Sequence, residues 1–133
     1  MRLRTIFGLF LIAHAVAHGG LAAAPIPDDQ DPKPGAFFTE VSRSWLFQKL
    51  GLDGAIIKRI GILLVILTVV GFIFAGLGGL GIPGINQIWP TAAGLSAGVS
   101  LILLILFWHP WLVVGVLIDL GILLVLFLQK WPQ

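Results

Sequence analysis

The sequence predicts an all-α fold: an integral-membrane four-helix bundle with a short amphipathic surface helix in its first loop. Three observations carry this. Of 133 residues, 58% are hydrophobic and 11% charged, against roughly 25% charged in an average soluble domain. Four apolar runs each come close to the roughly 20 residues that span a bilayer core. Tryptophans stand at both ends of the last two runs, as in the aromatic belts of membrane helices. Residues 1–133 read as a single transmembrane domain, because too little chain lies outside the runs to build a separate soluble core. The formal charge of +2 argues for no nucleic-acid partner and fits at most a surface facing anionic lipid. With no cysteine in the chain, thiolate metal sites and thiol catalysis are excluded.

The first helix is expected at about 5–24. Arg2 and Arg4 precede it, and Leu21-Ala22-Ala23-Ala24 before Pro25 looks like a signal-peptide cleavage site. His14 and His18 interrupt the apolar stretch, so the run is read as a retained helix. A long connection, residues 25–53, follows. Its first half is Pro-rich and acidic, an extended exposed loop. From Glu40 to Leu52, Val41, Trp45, Leu46 and Leu50 recur at near-helical spacing against Ser42, Arg43, Gln48 and Lys49, which predicts an amphipathic helix on the membrane surface. Asp53-Gly54 then caps the second membrane helix.

That helix is expected at 56–81, the third at 90–108 and the fourth at 111–129. Ile82-Pro83-Gly84-Ile85-Asn86-Gln87 makes a turn of ordinary length. Trp108-His109-Pro110-Trp111 is so short that the last two helices must form a tight antiparallel hairpin, with Pro110 at a first helical position. Small residues should set the packing: Gly71, Ala75 and Gly79; Gly94, Ser96, Gly98 and Ser100; Ala13, Ala17, Gly20 and Ala24. Both termini are expected on the cytoplasmic side of a bacterial inner membrane, the four-residue N-terminal tail with two arginines being held inside. A plain count of loop cations points the other way.

Ionisable groups at membrane depth are costly and mark partners or functional cavities. His14 and His18 share one helix face. Counted from the side of the long loop at 1.5 Å per residue, His18 lies about 9 Å deep, Asp119 about 12 Å and His14 about 15 Å. All three occupy one layer, and a bundle with the first helix beside the last would let Asp119 reach a histidine. His109 sits on the same side, at the interface. Three readings are open. Asp119 and one histidine can satisfy each other and fix helix order. A His–Asp pair can hold a proton or a quinone head. His14, His18 and Asp119 can ligate a metal ion; haem would need one of these histidines paired with His109, or single-sided ligation, since i and i+4 cannot serve opposite haem faces.

Other motifs carry less. The HxxxH spacing lacks the glutamate of HExxH proteases, and the glycines at 76–81 lack the Lys-Ser/Thr of a phosphate loop. Ser96 and Ser100 read as helix-packing groups. No catalytic residue is assigned, and an enzyme is not the first reading.

Arg4-Thr5-Ile6-Phe7-Gly8-Leu9-Phe10-Leu11 entering a small-residue helix, the long first loop with a surface helix around Trp45, and three closely linked helices after it resemble the short four-helix bacterial membrane proteins of the DoxX-like type. The resemblance is architectural and spans most of the chain. It implies a small accessory subunit in the company of membrane oxidoreductases. The function expected is therefore an accessory or assembly subunit of a larger membrane complex, respiratory or other electron-transfer, or else a homo-oligomer, with no cofactor of its own. The alternative is a membrane oxidoreductase component binding haem, a metal ion or quinone through His14, His18, Asp119 and His109.

Overall fold

The computed structural model describes residues 2–25, 36–38 and 44–129. Within them run α1 (Leu3–Ala23), α2 (Trp45–Leu50), α3 (Gly54–Gly79), α4 (Trp89–Leu106) and α5 (Val113–Gln129), with 3-10 turns at Ala36–Phe38 and Pro110–Leu112. No strand occurs among the described residues. Four stretches, Leu3–Ala23, Gly54–Gly79, Trp89–Leu106 and Pro110–Leu128, are long and apolar enough to cross a membrane, which fits an integral membrane protein. The Pro-rich loop and Trp131 lie outside the described residues.

α4 stops two residues short of its expected end, at Leu106. Pro110 disfavours helical backbone at the residue before it, and His109 is accordingly extended, with φ −145° and ψ 145°. The surface helix is also shorter than expected. It covers Trp45–Leu50, and Gly51 at φ +62° ends it in the left-handed conformation that glycine adopts without a Cβ clash; residues 40–43 of the expected span lie outside the description. This helix is docked rather than merely resting on a surface. Ser44 Oγ donates to Leu106 O at 3.1 Å and Trp45 Nε1 donates to Ile105 O at 3.0 Å, satisfying carbonyls that the last turn of α4 leaves without helical partners.

The helices pack in sequence: α1 against α3, α3 against α4, and α4 against α5. α1 and α5 hardly approach each other. Closest packing is between α1 and α3, where a Cβ on Gly8 would lie 2.8 Å from Gly76 O and 3.0 Å from Gly79 C. Only hydrogen at Gly8 permits that approach. The expected α1 stripe is not what packs: Ala13, Ala17 and Gly20 are exposed, while Gly8, Leu11, His14, Ala15 and His18 face inward. Burying the two histidines fixes the rotation of the helix, and the small residues turn outward. On α3, Gly71 meets Ser96 and Gly61 meets the Phe38 backbone.

Arg4 fastens the far end. Its Nη2 donates to Gly78 O at 2.6 Å and Asn86 O at 2.9 Å, and the guanidinium lies 5.9 Å from the Trp89 ring centroid, within cation–π range. An arginine that sequence alone places in a free tail thus ties α1 to the α3–α4 turn.

Two apolar cores result. One, on the side of the α4–α5 turn, gathers Phe37, Phe38, Ile57, Leu103, Phe107 and Leu112. The other gathers Leu11, Phe72, Ala75, Trp89, Ala97 and Ile122. Between them, along every long helix, falls a buried polar residue: His14 and His18 on α1, Thr68 on α3, Ser100 on α4 and Asp119 on α5.

Candidate functional site

The polar layer is a connected chain of hydrogen bonds. Asp119 is wholly buried. Its Oδ1 lies 2.9 Å from His14 Nε2, and its Oδ2 accepts from Ser100 Oγ at 2.5 Å. A serine hydroxyl has one hydrogen, and Asp119 takes it. The 2.9 Å contact between Ser100 Oγ and His18 Nε2 must therefore be donated by the imidazole. That assigns the Nε2–H tautomer to neutral His18 and leaves Nδ1 as a lone pair. This Nδ1 is buried and has no hydrogen-bond partner.

Aromatic rings hold the imidazoles in place. Phe72 meets His14 edge-on at 4.9 Å and stacks on His18 at 6.2 Å, while Phe10 stacks on His14 at 6.2 Å. The histidine rings meet edge to face at 4.7 Å. A second unpartnered polar atom, Thr68 Oγ1, is buried in the same gap between the cores. The antiparallel register that sets Gly8 against Gly79 and His14 against Phe72 brings Thr68 to the level of His18.

Of the residues singled out from sequence, His14, His18 and Asp119 come together, with one ligand atom from each lying within 4.8 Å of the others. His109 does not join them. It is buried at the start of the Pro110–Leu112 turn, where its Nδ1 accepts from Trp111 N at 3.2 Å and its ring meets Phe37 edge-on at 5.5 Å. This places His109 in the turn, outside the cluster of His14, His18 and Asp119. Ser100 is the member that sequence reasoning missed. Ser96, one turn away, instead donates to Ala92 O of its own helix at 2.7 Å.

Where α1 and α5 part, the layer opens sideways. A recess of about 130 Å³ is lined by His14, His18 and Leu21 on one wall and Trp111, Val114 and Ile118 on the other. A predominantly apolar cavity of about 410 Å³ lies beside it, between Leu3, Phe7 and Phe10 of α1 and Ile118, Gly121 and Val125 of α5. Ile118 borders both. The arrangement can accept a hydrogen bond, hold a proton between His14 and Asp119, or present two imidazoles and a carboxylate to a cation. No family model matches this chain, and comparison with curated proteins and with solved structures finds nothing similar to it.

Proposed function

We propose that this chain is a membrane-spanning four-helix bundle serving as a small accessory component of a larger membrane complex, an electron-transfer complex by preference. Its own contribution is a site for a lipophilic molecule with a polar quinone-type head. The observation that carries this is the cleft between α1 and α5, apolar along Leu3–Phe10 and ending at His14 and His18. Ligand sites are concave, mostly apolar and fixed by a few convergent polar groups, and a cleft open to lipid admits such a molecule sideways. The head would meet His14 and His18, and the tail would follow Phe10, Phe7 and Leu3. The architectural resemblance to DoxX-like proteins supports the electron-transfer setting, and the exposed Arg2 ahead of α1 supports cytoplasmic termini in a bacterial inner membrane.

The test is mass spectrometry of the lipids retained by the full chain purified in mild detergent. A quinone-type lipid in near-equimolar amount, lost when Gly121→Phe fills the cleft wall, is the expected result. A folded protein that retains only bulk phospholipid, unchanged by Gly121→Phe, overturns the proposal.

A further inference from the structure

We infer that His14, His18 and Asp119 form a binding site for one divalent first-row transition-metal ion of the borderline class, such as zinc or iron(II), with a fourth position open to the α1–α5 recess. The donor set comes first. Two imidazoles and a carboxylate suit this class, whereas calcium and magnesium take oxygen ligands almost exclusively. Histidines at i and i+4 project from one helix face toward a common point. The ligand atoms lie within 4.8 Å of one another. Donors in a tetrahedral site with bonds of about 2.0–2.1 Å stand roughly 3.4 Å apart. Side-chain rotations, including one that presents His18 Nδ1, must close that difference.

Charge is the second consideration. Asp119 is wholly buried, and a carboxylate inside the apolar layer requires a positive partner. No lysine or arginine among the described residues supplies it. Arg4 is bound to Gly78 O and Asn86 O at the opposite end, and Lys58 and Arg59 are exposed near the start of α3, more than two turns before Thr68. What remains is a proton, on Asp119 itself or on His14, or a metal ion.

The unpartnered nitrogen favours the ion. A metal-ligating histidine uses one ring nitrogen and donates its other N–H to a fixed acceptor. His18 donates Nε2–H to Ser100, which is itself bonded to Asp119, while its Nδ1 lone pair meets no donor at 2% residue exposure. The recess of about 130 Å³ beside His14 and His18 has room for a water or an exchangeable ligand. Three protein ligands and one open position are the pattern of metal sites that bind something further.

Tag-free full-length protein in detergent, stripped with chelator and titrated with cobalt(II) alone, then competed with zinc, tests the site. The expected result is one cobalt per chain with visible d–d absorption. His18→Ala and Asp119→Asn should each weaken binding at least tenfold while helical circular dichroism is retained. The three histidines provide an internal control should a variant fail to fold. In the ¹⁵N-histidine spectrum of the unmodified protein, zinc should move two imidazole signals and leave the third, His109, unchanged. A folded protein that takes up neither metal, or in which all three signals or none respond, overturns the inference. Metal content and retained lipid are separate readouts, so either reading can fail without the other.

Discussion

A double-mutant cycle on His14 and Asp119 tests the arrangement of α1 and α5 most directly. The two helices hardly approach each other, and the 2.9 Å bond between His14 Nε2 and Asp119 Oδ1 is the polar link across the gap. Asp119→Ala leaves two buried donors without an acceptor, His14 Nε2–H and the Ser100 hydroxyl. At about 1–3 kcal/mol for each stranded group, the single substitution should cost about 3 kcal/mol. His14→Ala strands one side of the carboxylate and should cost less. Hydrogen bonds between membrane helices average about 0.6 kcal/mol in coupling and reach about 1.7. With both partners buried, the expected coupling is at the upper end, about 1–2 kcal/mol. Reversible unfolding of metal-free protein in mixed micelles, followed by the fluorescence of its five tryptophans, buried Trp89 among them, measures all four corners of the cycle. Substitutions that add to within about 0.3 kcal/mol would show that the two side chains do not interact, and the layer as described would be wrong.

Gly8→Ala should cost about 1–3 kcal/mol in the same assay, because its Cβ would fall 2.8 Å from a backbone oxygen and the helices must part. Gly20→Ala, with nothing within 4 Å of the new atom, should cost nothing, and equal effects at the two positions would refute the α1–α3 contact. Orientation is accessible because the chain has no cysteine: cysteine introduced at Gln30 should react with an impermeant maleimide on intact cells and cysteine at Gln133 only after lysis, and the reverse labelling would invert the proposed topology.

The four membrane-crossing lengths were legible because hydropathy over 20 residues reports burial in lipid directly. Depth was legible too: residue counts at 1.5 Å each placed His14, His18 and Asp119 in one layer, and they meet there. Azimuth was not. A helix that is apolar nearly all round gives no strong phase, so Ala13, Ala17 and Gly20 looked as able to pack as Gly8, and only the burial of two histidines turns them outward. Ser96 and Ser100 share a helix face and differ by a turn. A signal did exist, since Ser100 and Asp119 lie nine and ten residues either side of His109 and hairpin helices bring such positions to equal depth. Thr68 has no such marker, being one hydroxyl in a long apolar run. The fate of His109 follows from Pro110, which forces an extended residue before it and places the ring where the turn needs an acceptor.

The second histidine separates a tie between helices from a binding site. Fixing α1 to α5 needs one imidazole, and His14 supplies it. His18 adds a bond to a hydroxyl already committed to Asp119, and it buries a nitrogen with no partner, an omission worth about 1–3 kcal/mol against the fold. If the layer served helix order alone, that expense would return nothing. His18→Leu, which removes the unpartnered nitrogen at similar volume, should then leave the ligand-free protein unchanged or more stable by up to about 1 kcal/mol, whereas His14→Leu should destabilise it. With zinc present the order at His18 should reverse, because only the unsubstituted protein gains the free energy of binding. A His18→Leu protein that is much less stable than the unsubstituted one without any ligand would make His18 a structural residue and remove the strongest argument for a ligand in this layer.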